Sequence, residues 1–290
     1  MAMLVAGASA AGCSALGAGA VDEDATNAPT TLPQIGGLRT PVADAHELEL
    51  VLYEPFDDEE LDAIWTTCYW WQVDGGCTIS SNDEQQWYRP EAVTVADGSL
   101  RLEVTADPQR TTDGDVLPYR SGMISSGHVD HHDIDEPGYA FTYGVVETRI
   151  RLPEGDGMWP AVWLLSADRT SLPEIDLLEW YGSRPTMVTS HVHQRIDDER
   201  SSARVEITSD EPLGGGWHDV AVDWAPDRVV FYLDGVETGR VVDPELIPHS
   251  PMYLIINLAA GGANAGDVDE SVLPQTLLVD DVRIWQRGGS

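Results

Sequence analysis

The chain is written in short apolar runs of strand length, each closed by turn residues, and no stretch sustains the 3.6-residue apolar spacing of an amphipathic helix. Runs at 100–105 after Ala96-Asp97-Gly98-Ser99, at 145–152, 187–193, 204–208, 220–224, 229–233 ahead of Asp234-Gly235, and at 252–258 read as strands. That pattern predicts an all-β sandwich. The sequence contains no internal repeat, phosphate-cradling glycine motif or serine nucleophile elbow. At 290 residues, one large β domain plus a short leader fits the length, and two full domains would be crowded.

Within this pattern, Pro173-Glu174-Ile175-Asp176-Leu177-Leu178-Glu179-Trp180 places three carboxylates inside six residues of a strand-forming segment. Side chains alternate faces on a strand, so Glu174 and Asp176 share a face and Glu179 would point away. A bulge in which Leu177 and Leu178 together oppose one partner residue returns Glu179 to that face. Three carboxylates so close cannot all ionise freely, so at least one is expected to hold its proton near neutrality. An ionised carboxylate beside a protonated one is the apparatus of a glycosidase, and a retaining mechanism sets them about 5 Å apart. Acidic runs such as Asp57-Asp58-Glu59-Glu60 read as solvated surface. The 174–179 acids differ in following the apolar, aromatic run Met158-Trp159-Pro160-Ala161-Val162-Trp163-Leu164-Leu165.

Glu-x-Asp-x-x-Glu after Trp-Pro-Ala-x-Trp resembles glycoside hydrolase family 16 in its bulged, laminarinase-like branch. Further matches follow in family order: Asn82-Asp83-Glu84-Gln85-Gln86-Trp87-Tyr88, Tyr143-Gly144-Val145-Val146-Glu147-Thr148-Arg149, 217–224, Phe231-Tyr232-Leu233-Asp234-Gly235 and 279–286. The resemblance spans about residues 50 to 287. It implies a concanavalin-like β-jelly-roll of two antiparallel sheets with a concave substrate cleft. It also implies a retaining endo-β-glycosidase acting on a β-1,3- or β-1,3-1,4-glucan. Agarase, carrageenase and exopolysaccharide depolymerase are the alternatives on the same acids, and a non-catalytic lectin-like domain is the alternative of another class. Retention of all three acids argues against the lectin.

The resemblance assigns Glu174 as nucleophile, Glu179 as acid and base, and Asp176 as the group between them. Trp159, Trp163, His193, Asn82, Glu84 and Asn257 are the expected sugar contacts. No catalytic cofactor is implied; a structural Ca²⁺ is expected at Glu54, the Gly98 carbonyl and Asp280, since oxygen ligands suit that ion. Two positions depart from the family: Met123 stands where many members carry Arg, and Asn264 lies where laminarinases often carry Trp. Both are expected to face the sugar. Trp70 and Trp71 read as a rim of the cleft, and the remaining tryptophans as packing. His128, His131 and His132 with neighbouring acids read as a solvated loop and not as a metal site.

The formal net charge is −34, from 50 acidic and 16 basic residues, and every basic residue is Arg. Such a charge repels nucleic acid phosphates and anionic membranes. It fits a protein adapted to high salt, where the Debye length shrinks to roughly 3 Å at 1 M. Residues 1–20 read as a signal-peptide remnant of possible lipoprotein type, with Cys13 after Ala10-Ala11-Gly12 as a lipid-anchor candidate and cleavage after Ala20 as its rival. Residues 21–47 read as an acidic Thr/Pro/Gly linker and 48–290 as the catalytic domain. Cys68 and Cys77 are expected to form a disulfide worth roughly 2–3 kcal/mol, in keeping with an extracellular or cell-surface protein. A polysaccharide is the expected partner and a monomer the expected unit.

Overall fold

A computed structural model describes residues 37–72, 77–127 and 138–288. The expected leader, Cys13, the linker as far as residue 36 and the His128 loop lie outside the described residues. Two antiparallel sheets dominate, as the jelly-roll expectation requires. The six-stranded sheet runs Glu199–Thr208, Met187–Ile196, Glu174–Trp180, Met158–Ser166, Met252–Ala260, Met123–Ser125. The eight-stranded sheet runs Val236–Val241, Arg228–Leu233, Trp217–Ala225, Gly144–Arg151, Gln275–Arg287, Ser99–Val104, Val93–Ala96, and Leu48–Glu54 also pairs with Gln275–Arg287.

Alternation decides which side chains meet between the sheets. Val146, Val222, Val279 and Ile284 from one sheet join Val162, Leu164, Ile175, Val188, Val192, Leu254 and Ile256 from the other in a single buried cluster. The strand Met252–Ala260, next to last in the six-stranded sheet, is buried at every position, because a second apolar layer covers its other face. There Tyr253 and Ile255 pack with Tyr69, Tyr88, Met123, Trp163 and Leu165, under the loop that the Cys68–Cys77 disulfide closes. Met123 is 0% exposed and lies against the Cys77 sulfur, so the expectation that it faces the sugar is overturned: the strand's pleat and the disulfide loop bury it.

Packing begins upstream of the boundary expected at Leu48. The Thr40 amide donates to the buried Glu147 at 2.7 Å, Arg39 pairs with Asp281 at 2.6 Å, Val42 packs with Trp285, and Arg287 reaches Asp44 at 2.7 Å. These residues look like linker by composition, yet each meets a partner on the eight-stranded sheet. No helix among the described residues is long and apolar enough to cross a membrane.

Candidate active site

The strand Glu174–Trp180 carries the bulge that its sequence requires. Against Met158–Ser166, Leu178 pairs with Val162 and Asp176 with Trp163, so Leu177 is the extra residue. On the other side Asp176 pairs with His191 and Glu179 with Thr189, three steps against two. Ile175, Leu177, Leu178 and Trp180 therefore all enter the core, while Glu174, Asp176 and Glu179 line one cleft of about 640 Å³. The buried Ser190 hydroxyl donates to the Leu177 carbonyl at 2.8 Å, giving a partner to a backbone group that the bulge displaces from the ladder.

The next strand supplies imidazoles across from the acids. His191 and His193 are two residues apart, share the cleft face, and their rings stack at 5.3 Å. His191 Nδ1 lies 3.0 Å from Glu179 Oε2 and 3.6 Å from Asp176. His193 Nε2 lies 3.3 Å from Asp176 and 3.6 Å from Glu174. His193 and His191 both line the cleft. Tyr181, two residues beyond Glu179 and on the same face, donates its hydroxyl to Glu179 Oε1 at 3.0 Å, and Trp159 Nε1 donates to the same oxygen at 3.1 Å. The spacing Glu179-x-Tyr181 was the available signal for the tyrosine.

These surroundings separate the two glutamates. Burial, then the Asp176 charge, raises Glu174 to about 8, although His193 and Arg200 pull the other way. Burial and then the Glu179 charge also raise Asp176. Burial acts on Glu179 in the same direction, but His191, Tyr181 and Trp159 outweigh it and hold this carboxyl below its ordinary value. The highest proton affinity of the cluster therefore lies on the Glu174–Asp176 side. Burial lowers His193, which favours its neutral form.

All six expected sugar contacts line the cleft, and two of them, Asn257 and Glu84, also help to build it. Asn257 accepts from Trp163 Nε1 at 2.8 Å and donates to the Tyr88 hydroxyl at 3.0 Å, so it fixes the Trp163 ring. Glu84 is 6% exposed and accepts from Thr78, Ile79, Asn82 and Gln86; it anchors the 78–86 loop more than it offers an oxygen to a sugar. Burial raises its pKa. Asn82 lines the cleft on that loop, and Trp70, Trp71 and Asn264 line it as well. Trp71 stacks on Tyr69 at 4.4 Å with 38% of its surface exposed. Gly261 and Gly262, at φ +70° and +107°, let the Asn264 loop turn against Asn82 and Trp159.

The donors expected for Ca²⁺ lie at one junction of the other sheet. Glu54 pairs with Val282 and Leu100 with Val279 on the same strand, so Glu54, Asp280 and the Asp97-Gly98 turn fall at neighbouring positions of the register. The Glu54 oxygens accept from the Phe56 amide at 2.9 Å and Trp65 Nε1 at 3.0 Å. A carboxylate has about four lone-pair positions, so both oxygens retain room for a cation, and the all-oxygen set fits Ca²⁺.

Residues 80–272 match glycosyl hydrolases family 16. The chain is 34% identical over 240 residues to endo-1,3-1,4-beta-glycanase EglC of Rhizobium meliloti, covering 77% of this chain and 47% of the relative. It is 33% identical to endo-1,3-1,4-beta-glycanase ExsH of the same species, covering 75% and 49%. It spans about half the length of these curated relatives. In structure it is similar to the laminarinase catalytic domain of Thermotoga maritima, with a TM-score of 0.71 and 25% identity over 83% of this chain and 99% of that one.

Proposed function

Because the chain belongs to glycosyl hydrolases family 16, we propose that its cleft performs endo-acting, retaining hydrolysis of a β-linked polysaccharide, with a β-1,3- or β-1,3-1,4-glucan backbone as the first choice. The observation that carries this reading is the bulge at Leu177, which turns Glu174, Asp176 and Glu179 onto one face of one cleft. Glu174 attacks the anomeric carbon while Glu179 protonates the departing glycosidic oxygen. Water then attacks the glycosyl-enzyme with Glu179 as base.

In the unliganded site burial and like charge raise the proton affinity of Glu174 and Asp176, while His191, Tyr181 and Trp159 hold that of Glu179 down, so the proton that the first step needs on Glu179 is favoured on the other side. Asp176, with His191 at 3.6 Å and His193 at 3.3 Å, stands between the glutamates as the group through which one proton passes from Glu174 to Glu179. A glycosidic oxygen arriving at Glu179 competes for the Tyr181 and Trp159 donors and so raises the affinity of Glu179 for that proton. Trp163, fixed by Asn257, and the exposed Trp71 present aromatic faces to pyranose rings.

Glu54, the Gly98 carbonyl and Asp280 would hold a structural Ca²⁺, which would brace the strand junction and take no part in the chemistry. The Cys68–Cys77 disulfide supports export to an oxidising compartment, extracellular or cell-surface. The test is reducing-end release from laminarin, mixed-linkage glucan, agarose, carrageenan and bacterial exopolysaccharides in molar salt. Release from one or both glucans, abolished in Glu174→Gln, is the expected result. A folded protein that cleaves none of the panel contradicts the proposal.

A further inference from the structure

The proposed hydrolysis needs three carboxylates, yet the adjoining strand brings two imidazoles to the same point. His193 pairs with Glu174 and His191 with Asp176 across that strand boundary, and side chains of paired residues share a face. The His193 nitrogens are not consumed by hydrogen bonding. Its Nε2 lies 3.3 Å from Asp176 and 3.6 Å from Glu174, beyond the usual N–H···O range of about 2.7–3.2 Å. Its Nδ1 has no hydrogen-bond partner among the described residues.

The spacing suits a metal ion better than it suits hydrogen bonds. Asp176, His191 and His193 each present one ligand atom, all within 4.8 Å of one another. Around a tetrahedral Zn²⁺, bonds of about 2.0–2.1 Å set neighbouring donors about 3.3 Å apart. One oxygen of Asp176 lies 3.3 Å from His193 Nε2 and 3.6 Å from His191 Nδ1. Glu179, 3.0 Å from His191 Nδ1, and Glu174, 3.6 Å from His193 Nε2, flank the same point and offer a fourth oxygen. The rings stack within 14° of parallel, so one must turn about χ2, a soft torsion in histidine, for both lone pairs to converge. Both rings border the open cleft, which leaves room for that turn.

The donor set also selects the ion. Imidazole suits Zn²⁺, Cu²⁺ and Ni²⁺, whereas Ca²⁺ and Mg²⁺ take oxygen ligands. Affinity is limited by the surroundings. A tightly held metal has its histidines fixed through their second nitrogen, and His193 Nδ1 lacks that support. Arg200, 3.5 Å from Glu174, adds a competing positive charge, although it is 59% exposed and free to swing towards solvent. These features describe a reversible site and not a resident structural ion.

We propose that Asp176, His191 and His193 bind a divalent transition-metal ion of the zinc class, and that this ion stops hydrolysis by occupying the space between Glu174 and Glu179. The site is distinct from the oxygen-only set at Glu54, Gly98 and Asp280. Metal binding stands apart from the hydrolase reading; the inhibition rests on it.

The experiment uses untagged full-length protein, stripped of metal, in excess MgCl₂ so that the many surface carboxylates are already occupied. Zn²⁺ binding is followed by calorimetry, Co²⁺ binding by its visible absorption, and laminarin cleavage in parallel. One Zn²⁺ per chain is expected, with a Co²⁺ spectrum of a nitrogen-bearing site of low coordination number. His191→Gln and His193→Gln, with unchanged circular dichroism, should each weaken Zn²⁺ binding more than about tenfold, since even outer-shell losses cost 10–100-fold. Saturating Zn²⁺ should abolish cleavage, EDTA should restore it, and CaCl₂ at the same concentration should leave it intact. No stoichiometric binding, or binding that survives both Gln variants, overturns the site. Full cleavage with the site saturated overturns the inhibition. If Zn²⁺ binds through the histidines but the metal-free protein cleaves no polysaccharide, the hydrolase reading and the inhibition fall and the metal site stands.

Discussion

Asp223 on the eight-stranded sheet and Asp176 on the six-stranded sheet are almost equally buried, at 2% and 6% exposed, yet they live in opposite electrostatic settings. Asp223 takes Arg228 at 2.9 Å and Arg287 at 2.8 Å. Its neighbour Asp44, on the same Arg287, is held at about 2 by that hydrogen bond. Asp176 has imidazoles and two further carboxylates around it, and its proton affinity goes up. Burial alone therefore does not make a catalytic carboxylate. Asp223 meets two permanent cations, whereas Asp176 meets imidazoles and like charges, and those like charges add to burial in raising its proton affinity.

The sharpest way to break this contrast is to neutralise one acid on each face. Glu174→Gln and Glu179→Gln should each lower kcat by about a thousandfold or more with unchanged circular dichroism, because each removes a distinct chemical role. Asp176→Asn should cost less. Asp223→Asn should leave kcat within about twofold at temperatures where it stays folded, yet lose about 2 kcal/mol in urea unfolding, since it weakens charged hydrogen bonds to two guanidinium groups that keep Asp44 and Asp227 as partners. An activity loss in Asp223→Asn without a stability loss would erase the distinction.

The pH dependence sharpens it further. Glu174, raised to about 8 from an ordinary 4.5, binds its proton in the folded protein at pH values where the unfolded chain has released it. It therefore subtracts stability as pH climbs from about 4.5 towards 8. Glu174→Gln should gain about 2 kcal/mol on the wild type between pH 5 and pH 8, measured as paired urea curves. Asp44 acts with the opposite sign: its contribution is full above 3.8 and fades as pH falls through about 2. Asp44→Asn should accordingly destabilise at pH 5 and lose that effect towards pH 2. The smallest effect concerns the whole surface. With a net charge of −34, the unfolding midpoint should rise by about 3 °C or more from low salt to 2 M NaCl, and a flat or falling midpoint would leave the charge as composition without adaptation to salt.

The bulge was legible because Glu174, Asp176 and Glu179 reach one face only if Leu177 is extra, and the two leucines are apolar enough to go to the core together. Strand ends were less legible. The strand expected at 204–208 begins at Glu199, because Asp197 and Asp198, at φ +51° and +65°, close a two-residue hairpin whose returning strand opens on the polar run 199–202. Hydropathy has nothing to register there; the pairing of Gln194 and Arg195 with Ser201 and Arg200 decides it. Residues 38–47 escaped for a related reason, since their partners lie on Asp281, Glu147 and Arg287, far along the chain. The donors on Glu179 were half visible: Tyr181 by spacing, and His191 by alternating to the same face as His193 on the strand after the acids. The consumption of Asn257 and Glu84 by Trp163, Tyr88 and the 78–86 loop depends on tertiary contacts that no local pattern encodes.

The account's central claim is that Glu174 and Glu179, on one bulged strand, take opposite chemical roles despite the resting charge distribution favouring an ionised Glu179. Azide rescue of Glu174→Ala and Glu179→Ala on an activated aryl β-laminaribioside tests it directly. The account predicts that Glu174→Ala yields the inverted α-glycosyl azide, with azide replacing the nucleophile, and that Glu179→Ala yields the retained β-glycosyl azide by attack on the glycosyl-enzyme. The reverse assignment of anomers, or the same anomer from both variants, would contradict it.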